Sequence, residues 1–400
     1  MNTLSVKVTE DIYYIGVNDR ETALFENMWP LDNGVTYNSY LIKDEKNVLL
    51  DTVKINKVDV FLKKMEEVLQ DKPLDYLVIH HMEPDHSSSI RTILGLYPDV
   101  TLVVNKKTKE MLREFYGIEE EVKMLEVKEG DELSLGKRTL RFFMTPMVHW
   151  PESMVSYELC DKILFSQDAF GGFGALNGPI FDDEINWKYY ESETRRYYSN
   201  IIGKHSKQVQ GVLKKLSDIE IKMICPVHGP VWRTNPAKIV EEYRKWSNYE
   251  TEEGVVIVYG SMYGNTAIMA ETIARYLAEE GIKNIKIYDV SKTHASYIIN
   301  DIWKYKGLIL ASCAYNNGLF PPMANLVKVI EMNNIKDHIL GICGSYSWSG
   351  GGVKTLKAFA ECGAYDVIGH TVEAKCSPTQ EDLDSLSIIA TEMAKKLRGE

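Results

Sequence analysis

No C-x-x-C pair occurs in this 400-residue chain, although it contains six cysteines. Cys160, Cys225, Cys313, Cys343, Cys362 and Cys376 are scattered, which excludes a rubredoxin-type or zinc-ribbon module among these residues. They read as the reduced thiols of a cytoplasmic protein. No run approaches about eighteen consecutive apolar residues, so no membrane-spanning segment is expected. The N-terminus, Met1-Asn2-Thr3-Leu4-Ser5-Val6, lacks the basic-then-apolar pattern of a leader. Positive charge is in deficit: 46 Lys and Arg face 57 Asp and Glu, for a net charge of −11. That balance argues against a nucleic-acid surface and for a small ligand or a basic partner. Neither G-x-x-x-x-G-K-[ST] nor G-x-G-x-x-G is present, which removes a nucleoside-triphosphate loop and weakens a dinucleotide reading.

Four hundred residues exceed one ordinary core, so two or more domains are expected. The acidic connector 247–254 marks the boundary and separates 1–250 from 254–400. Beyond it, strands near 255–259, 285–288, 307–311, 338–342 and 365–373 alternate with helices. That rhythm predicts βαβ units and a five-stranded parallel sheet. Before it, short strands at 36–42, 47–51, 101–105, 140–145, 154–158 and 163–166 predict layered sheets. Helices are expected near 56–70, 87–96 and 106–116, making an α+β domain.

The densest chemistry lies in His81-Met82-Glu83-Pro84-Asp85-His86, just after the apolar run 74–79. Alternate residues of an extended chain point the same way, so His81, Glu83 and Asp85 are expected on one side, with His86 close behind. Two imidazoles and two carboxylates exceed what one small metal site draws from a single loop, which suggests half of a two-metal centre. Further donors follow where strands give way to loops: His149 in Val148-His149-Trp150-Pro151, Asp168 after 163–166, and His228 in Pro226-Val227-His228-Gly229. Rigid strands fix the backbone at such places and loops aim the side chains. A lone His or Asp in a loop is more often a cap or a solvated side chain, so the seven carry weight only together. His80 fits no ligand slot and reads as structural. Trp150, Tyr197 and Tyr198 read as core packing, with gating or protonation of the metal pocket as the alternative.

A second constellation starts after strand 255–259. In Gly260-Ser261-Met262-Tyr263-Gly264-Asn265-Thr266 two hydroxyls, one amide and bare backbone precede a helix N-terminus, a phosphate cradle without Lys or Arg. Ser312-Cys313-Ala314-Tyr315-Asn316-Asn317-Gly318 and Gly344-Ser345-Tyr346-Ser347-Trp348-Ser349-Gly350-Gly351 follow the third and fourth strands. Both loops fall at carboxyl ends of parallel strands, where this architecture binds ligands. Trp348, set between serines and glycines, is a poor core residue and a good stacking face for a planar ring.

H-x-E-x-D-H, then a His about sixty residues on, an Asp about twenty later and a His about sixty later, resembles the ligand order of the metallo-β-lactamase-like fold. Its hydrolytic members have His at the second position and bind zinc; Glu83 stands there in this chain. The loop 260–266 resembles the FMN loop of flavodoxins, which commonly have Thr where Tyr263 stands. The whole chain therefore resembles the flavodiiron proteins, or A-type flavoproteins. The resemblance implies a metallo-β-lactamase-like αββα sandwich domain followed by an α/β flavodoxin-like domain. It also implies that His81, Glu83 and His149 bind one iron, Asp85, His86 and His228 a second, and that Asp168 bridges them. FMN would be held by Ser261, Met262, Tyr263, Gly264, Asn265, Thr266, by Ala314, Tyr315, Asn316, Asn317, Gly318, and by Ser345, Tyr346, Ser347, Trp348, Ser349 and Gly350. Four imidazoles with three carboxylates suit non-haem iron, whereas zinc offers no redox chemistry.

The activity so implied is reduction of O2 to water, of NO to N2O, or both, with electrons from a rubredoxin or similar small donor. The assembly implied is a head-to-tail homodimer, or a tetramer built from it. Two rivals stay open: a zinc hydrolase of the lactamase-like fold with an accessory flavin domain, and a non-catalytic flavin or iron redox sensor.

Overall fold

The computed structural model describes residues 5–119 and 121–400. Met1–Leu4, part of the N-terminal stretch that lacks a leader pattern, and Glu120 lie outside the described residues. The chain forms two compact units, Met1–Arg244 and Lys245–Glu400.

The first unit is built on two sheets. Seven strands run in the spatial order Val6–Lys7, Ile12–Tyr14, Tyr40–Ile42, Val48–Leu50, Tyr76–Val78, Thr101–Val104 and Met124–Glu126. Five more run in the order Glu132–Ser134, Thr139–Met144, Met154–Glu158, Ile163–Gln167 and Met223–Pro226. Ile12, Tyr40, Val48 and Val78 of one sheet share a core with Leu140, Phe142, Met154 and Phe165 of the other. Amphipathic helices complete the αββα sandwich. One of them, Lys106–Tyr116, starts where the Asn105 side chain accepts from the Lys107 and Thr108 amides and stops at left-handed Gly117.

Two local departures from the strand and helix pattern matter for the site. The stretch 36–42 is not one strand. Val35–Tyr37 pairs with Val17–Asp19 in a small sheet, while Tyr40–Ile42 belongs to the seven-stranded one. Between them the Asn38 amide donates to the Val227 carbonyl at 2.7 Å, and the Asn38 side chain donates to the carbonyls of Pro226 at 2.9 Å and Gly229 at 2.8 Å. Backbone expected in a ladder is instead committed to the loop that carries His228.

The second departure corrects the extended reading of 81–86. The chain is extended only through Glu83; Pro84 then opens the helical turn Pro84–Ser87, with the Ser87 amide donating to the Glu83 carbonyl at 3.0 Å. Proline suits a first helical position because its missing N–H would have no partner there. Asp85 and His86 therefore turn away from the alternation that His81 and Glu83 follow. The helix expected at 87–96 is accordingly two pieces, Pro84–Ser87 and Ile90–Leu96.

The second unit has five parallel strands in the order Ile285–Asp289, Glu252–Gly260, Tyr305–Tyr315, Ile339–Tyr346 and Asp366–Lys375. Helices cover both faces, so central residues such as Val255, Val256, Ile257, Leu308 and Ile309 are fully buried. The strand order reverses between Glu252–Gly260 and Tyr305–Tyr315. Ligands bind at such switch points, outside the carboxyl ends of the strands. Among the described residues no helix is long and apolar enough to cross a membrane.

Asn38→Ala should lower the stability of the protein by at least about 2 kcal/mol, because each buried partner left unpaired costs about 1–3 kcal/mol. An unchanged urea midpoint would show that the Asn38 bonds to the His228 loop are dispensable.

Candidate metal centre and cofactor loops

The seven donors gather from five places in the chain, each at the end of a strand or in the turn after it. His81 and Glu83 follow Tyr76–Val78, Asp85 and His86 lie in the turn Pro84–Ser87, and His149 lies beyond Thr139–Met144. Asp168 and His228 follow the adjacent parallel strands Ile163–Gln167 and Met223–Pro226. They form two groups: His81, Glu83, His149 and Asp168 in one, Asp85, His86 and His228 in the other.

In the first group His81 Nε2 lies 3.3 Å from Glu83 Oε2 and 3.1 Å from Asp168 Oδ2. His149 Nε2 lies 3.0 Å from Glu83 Oε2 and 3.4 Å from Asp168 Oδ2. In the second group Asp85 Oδ2 is 3.3 Å from both His86 Nε2 and His228 Nε2, and these nitrogens are 3.0 Å apart. Asp168 Oδ1 is 3.6 Å from His86 Nε2 and 3.4 Å from His228 Nε2. One carboxylate thus turns one oxygen to each group.

These distances fit metal ions. Donors about 2.1 Å from a common ion sit about 3.0 Å apart at right angles and about 3.4 Å apart in a tetrahedron. The separations given above fall near that interval. Both Asp85 oxygens and Asp168 Oδ2 are buried, and among the described residues nothing beyond the facing imidazoles partners them, as befits groups with a further ligand to take.

The titration behaviour follows from the same crowding. Burial alone would lower the imidazole of His149, but hydrogen bonds to Asp168 and Glu83 push it up to about 9. His228 is likewise opposed by burial yet raised to about 10 by Asp168 and Asp85. Burial would raise Glu83, but His149 and His81 bring it down to about 2. Asp168 is held well below the carboxylate range, against burial, by the charge on His81 and bonds from His149, His228 and His86.

Other residues hold the donors in place. Glu152 Oε1 lies 2.8 Å from His81 Nδ1 and accepts from the Met82 amide at 2.8 Å. His228 Nδ1 donates to the Thr36 carbonyl at 2.5 Å, and the Tyr40 hydroxyl donates to the Pro226 carbonyl at 2.7 Å. The Tyr197 hydroxyl donates to Asp168 Oδ1 at 2.8 Å, so Tyr197 is more than core packing. It sits where its helix gives way to the π-helical turn Tyr198–Ile202, a distortion that often marks functional sites. Tyr198 instead bonds to Ser206 at 3.0 Å. Trp150 packs edge-on against His81 at 5.2 Å. His80 is fixed between Asp51 at 2.7 Å and Ser156 at 2.8 Å and faces neither group.

Side chains and carbonyls that act through other residues carry no motif, so Glu152, Thr36, Asn38 and Tyr40 leave no local signal in the sequence. A cavity of about 430 Å³ lined by Thr22, Phe25, Glu26, Tyr37, Glu83 and Asp85 opens onto the centre.

In the second unit all three loops open at carboxyl ends of strands. Gly264, at φ +98°, precedes the helix Asn265–Glu279, and the Ser261 hydroxyl accepts from its amide at 3.1 Å. Thr266 is fully buried and bonds to Ser345 at 2.9 Å, tying the first loop to the third, and the Ser349 hydroxyl donates to Asn317 of the second. Asn316 and Asn317 both take left-handed conformations in the turn of the hairpin that closes on Gly318. Ala314 pairs with Leu319 in that hairpin. Tyr263 is 92% and Trp348 88% exposed, and Met262 and Tyr315 are also exposed, so planar faces stand open at the loops. Asn265, Tyr346, Ser347 and Gly350 lie in the same loops.

Residues 35–229 match the ODP family of beta-lactamases, and residues 257–387 match the flavodoxin family. The chain is 34% identical over 384 residues to an uncharacterised protein of Methanocaldococcus jannaschii, covering 96% of each. It is 31% identical to the anaerobic nitric oxide reductase flavorubredoxin of Escherichia coli, over 98% of this chain and 82% of that one. Rubredoxin oxygen:oxidoreductase from Desulfovibrio gigas superposes with a TM-score of 0.95 at 30% identity, covering 99% of both chains. The flavodiiron protein of Giardia intestinalis gives 0.94 at 28% identity, covering 100% of this chain and 98% of that one.

A lactamase-like domain with a paired His and carboxylate centre, joined to a flavodoxin-like domain, defines an oxidoreductase with FMN and a diiron centre as cofactors. The chain belongs to the flavodiiron protein family.

Because His149 and His228 have pKa values near 9 and 10, both are protonated at neutral pH until metal displaces the protons. Ferrous ion added at pH 7 should therefore release at least these two protons, read with a pH indicator in weak buffer. Raised imidazole pKa values add stability below about pH 6.5 that is lost as pH climbs through 9 to 10. The depressed Glu83 adds stability that is lost only as pH falls toward 2. The chelated protein should thus melt at lower temperature above pH 9, and reloading with iron should remove that loss.

Proposed function

We propose that this chain reduces a small diatomic gas, O2 or NO, at iron ions held by His81, Glu83, His149, Asp85, His86 and His228 and bridged by Asp168. The observation that supports this most is the division of the Asp168 carboxylate between two donor groups, which is how one residue holds two ions at reaction distance. Bound iron supplies reversible one-electron chemistry that zinc lacks.

The residues themselves do the rest. The seven donors set charge and geometry, and Phe25, Tyr37 and Tyr197 wall His228 with aromatic edges at 5.6, 5.9 and 5.3 Å. That wall gives the His228 side of the pocket an aromatic face, while Glu26, Glu83 and Asp85 make the cavity acidic, which suits a small neutral gas more than an anionic substrate. The Tyr197 hydroxyl supplies a donor at the bridging carboxylate.

The 260–266, 312–318 and 344–351 loops would hold FMN, with Tyr263 and Trp348 offering stacking faces, and bound FMN would supply one- and two-electron redox chemistry. Reduction of O2 to two waters takes four electrons and four protons; reduction of two NO to N2O and one water takes two of each. The electron donor in this reading is a rubredoxin-type protein, as the name of the similar rubredoxin oxygen:oxidoreductase of Desulfovibrio gigas suggests. The working assembly is a head-to-tail homodimer in the cytoplasm, the FMN of one subunit serving the metal centre of its partner.

Anaerobic stopped-flow of the fully reduced, iron-loaded protein against each gas tests the reading. Reoxidation by at least one gas at turnover rates is expected, and failure with both would overturn it. Asp168→Ala should lower turnover more than about a hundredfold, beyond the 10–100-fold typical of losing an outer partner. The same variant should lose iron and keep its flavin absorbance; retained turnover would remove the bridging role.

A further inference from the structure

The two metal-holding groups have matching donors but unlike surroundings. On one side His81 is backed by a carboxylate. Glu152 Oε1, 2.8 Å from His81 Nδ1, belongs to a side chain that is 1% exposed and whose other oxygen has no hydrogen-bond partner. On the other side His228 is backed only by the neutral carbonyl of Thr36, and His86 Nδ1 has no partner at all. A carboxylate behind an imidazole draws its N–H proton outward and makes the ring a stronger, more anionic donor. A carbonyl does this less, and an unpartnered ring not at all.

The bridge adds a second, independent bias. The Tyr197 hydroxyl donates to Asp168 Oδ1 at 2.8 Å, the oxygen turned toward His86 and His228. Oδ2 faces only the donor imidazoles of His81 at 3.1 Å and His149 at 3.4 Å, and among the described residues no hydroxyl or amide from outside the centre donates to it. A donated hydrogen bond withdraws electron density from the oxygen that receives it, so Asp168 gives more charge to the His81 side. Both effects act where little water screens them, and both act in the same direction.

Resting on the diiron function proposed for this site, we propose that the ion held by His81, Glu83 and His149 is the harder of the two to reduce. The one-electron-reduced centre then keeps its ferric ion there and its ferrous ion among Asp85, His86 and His228. Glu152 and Tyr197 are positioning residues with separate electronic roles. Glu152 lowers the potential of the first ion by adding negative charge behind its ligand. Tyr197 raises the potential of the second by drawing charge away from it.

The test is a reductive titration of the iron-loaded full chain with dithionite. One electron converts the diferric pair to ferric–ferrous, and a second makes it diferrous. The mixed-valence species is followed by electron paramagnetic resonance and FMN by its absorbance. The wild-type protein should accumulate the mixed-valence form between two resolved couples. Glu152→Gln keeps an oxygen to accept from His81 and Met82 but removes the charge; it should raise the lower couple and leave the upper one nearly in place. Tyr197→Phe should lower the upper couple and spare the lower.

Either change should cut the mixed-valence comproportionation constant by about tenfold or more, comparable to other losses of an outer ligand partner. Movement of the opposite couple, or of neither, would overturn the proposal. Should Glu152→Gln fail to hold two irons, Tyr197→Phe, which alters no charge, decides alone. If the wild-type chain itself binds fewer than two irons, the diiron reading fails with it, a result that iron analysis separates from an unshifted couple.

Discussion

The Asp168 carboxylate is the constraint around which the first unit is arranged. It is fully buried, and each of its oxygens faces two imidazoles from a different part of the chain. Buried carboxylates are costly unless opposed by positive charge or a metal, and one shared between two groups must be approached from both sides with little freedom. Its position is set by the strand pair Ile163–Gln167 and Met223–Pro226, which places Asp168 and His228 at neighbouring ends. His81, His149 and the turn Pro84–Ser87 come in around it. Loosening any one of them would leave a buried charge unpaired, which explains how many bonds are spent on their backbones.

The two units answer different chemical demands. The seven candidate donors are at most 8% exposed, which keeps bulk water from the centre and strengthens the electrostatic interactions within it. The loops of the second unit are the reverse: Tyr263 and Trp348 stand almost wholly in solvent. A flavin that exchanges electrons with other groups needs an accessible edge, whereas a redox metal centre needs enclosure. A flavodoxin-like switch point supplies the first and a sheet sandwich with donors at its strand ends supplies the second.

Much of this was legible before folding because ligand chemistry forces particular residue types into particular spacings. The parallel sheet was read that way, and so were the seven candidate donors that the fold brings together and the three candidate loops. Glu83 in place of a histidine carried the distinction between iron and zinc. The residues that went unseen act at long range. Glu152 reaches His81 across 71 positions, and Asn38 reaches Gly229 across 191, so no local pattern announces either. Tyr197 looked like core packing because a buried aromatic is usually that; its hydroxyl bond to Asp168 appears only when the helix and the strand end meet.

The sequence by itself determined the class of fold and pointed to the candidate donors and the candidate flavin loops, since residue type and period suffice for each. Only the tertiary structure decided how the donors divide. Alternation along an extended chain would put Asp85 beside His81 and Glu83, but Pro84 starts a helical turn and sends Asp85 and His86 to the other group. The strand pattern at 36–42 hid a break whose backbone goes to the His228 loop instead of a sheet. Local periodicity records what each segment prefers alone; which buried charges it must satisfy is settled only where segments far apart in the chain come together.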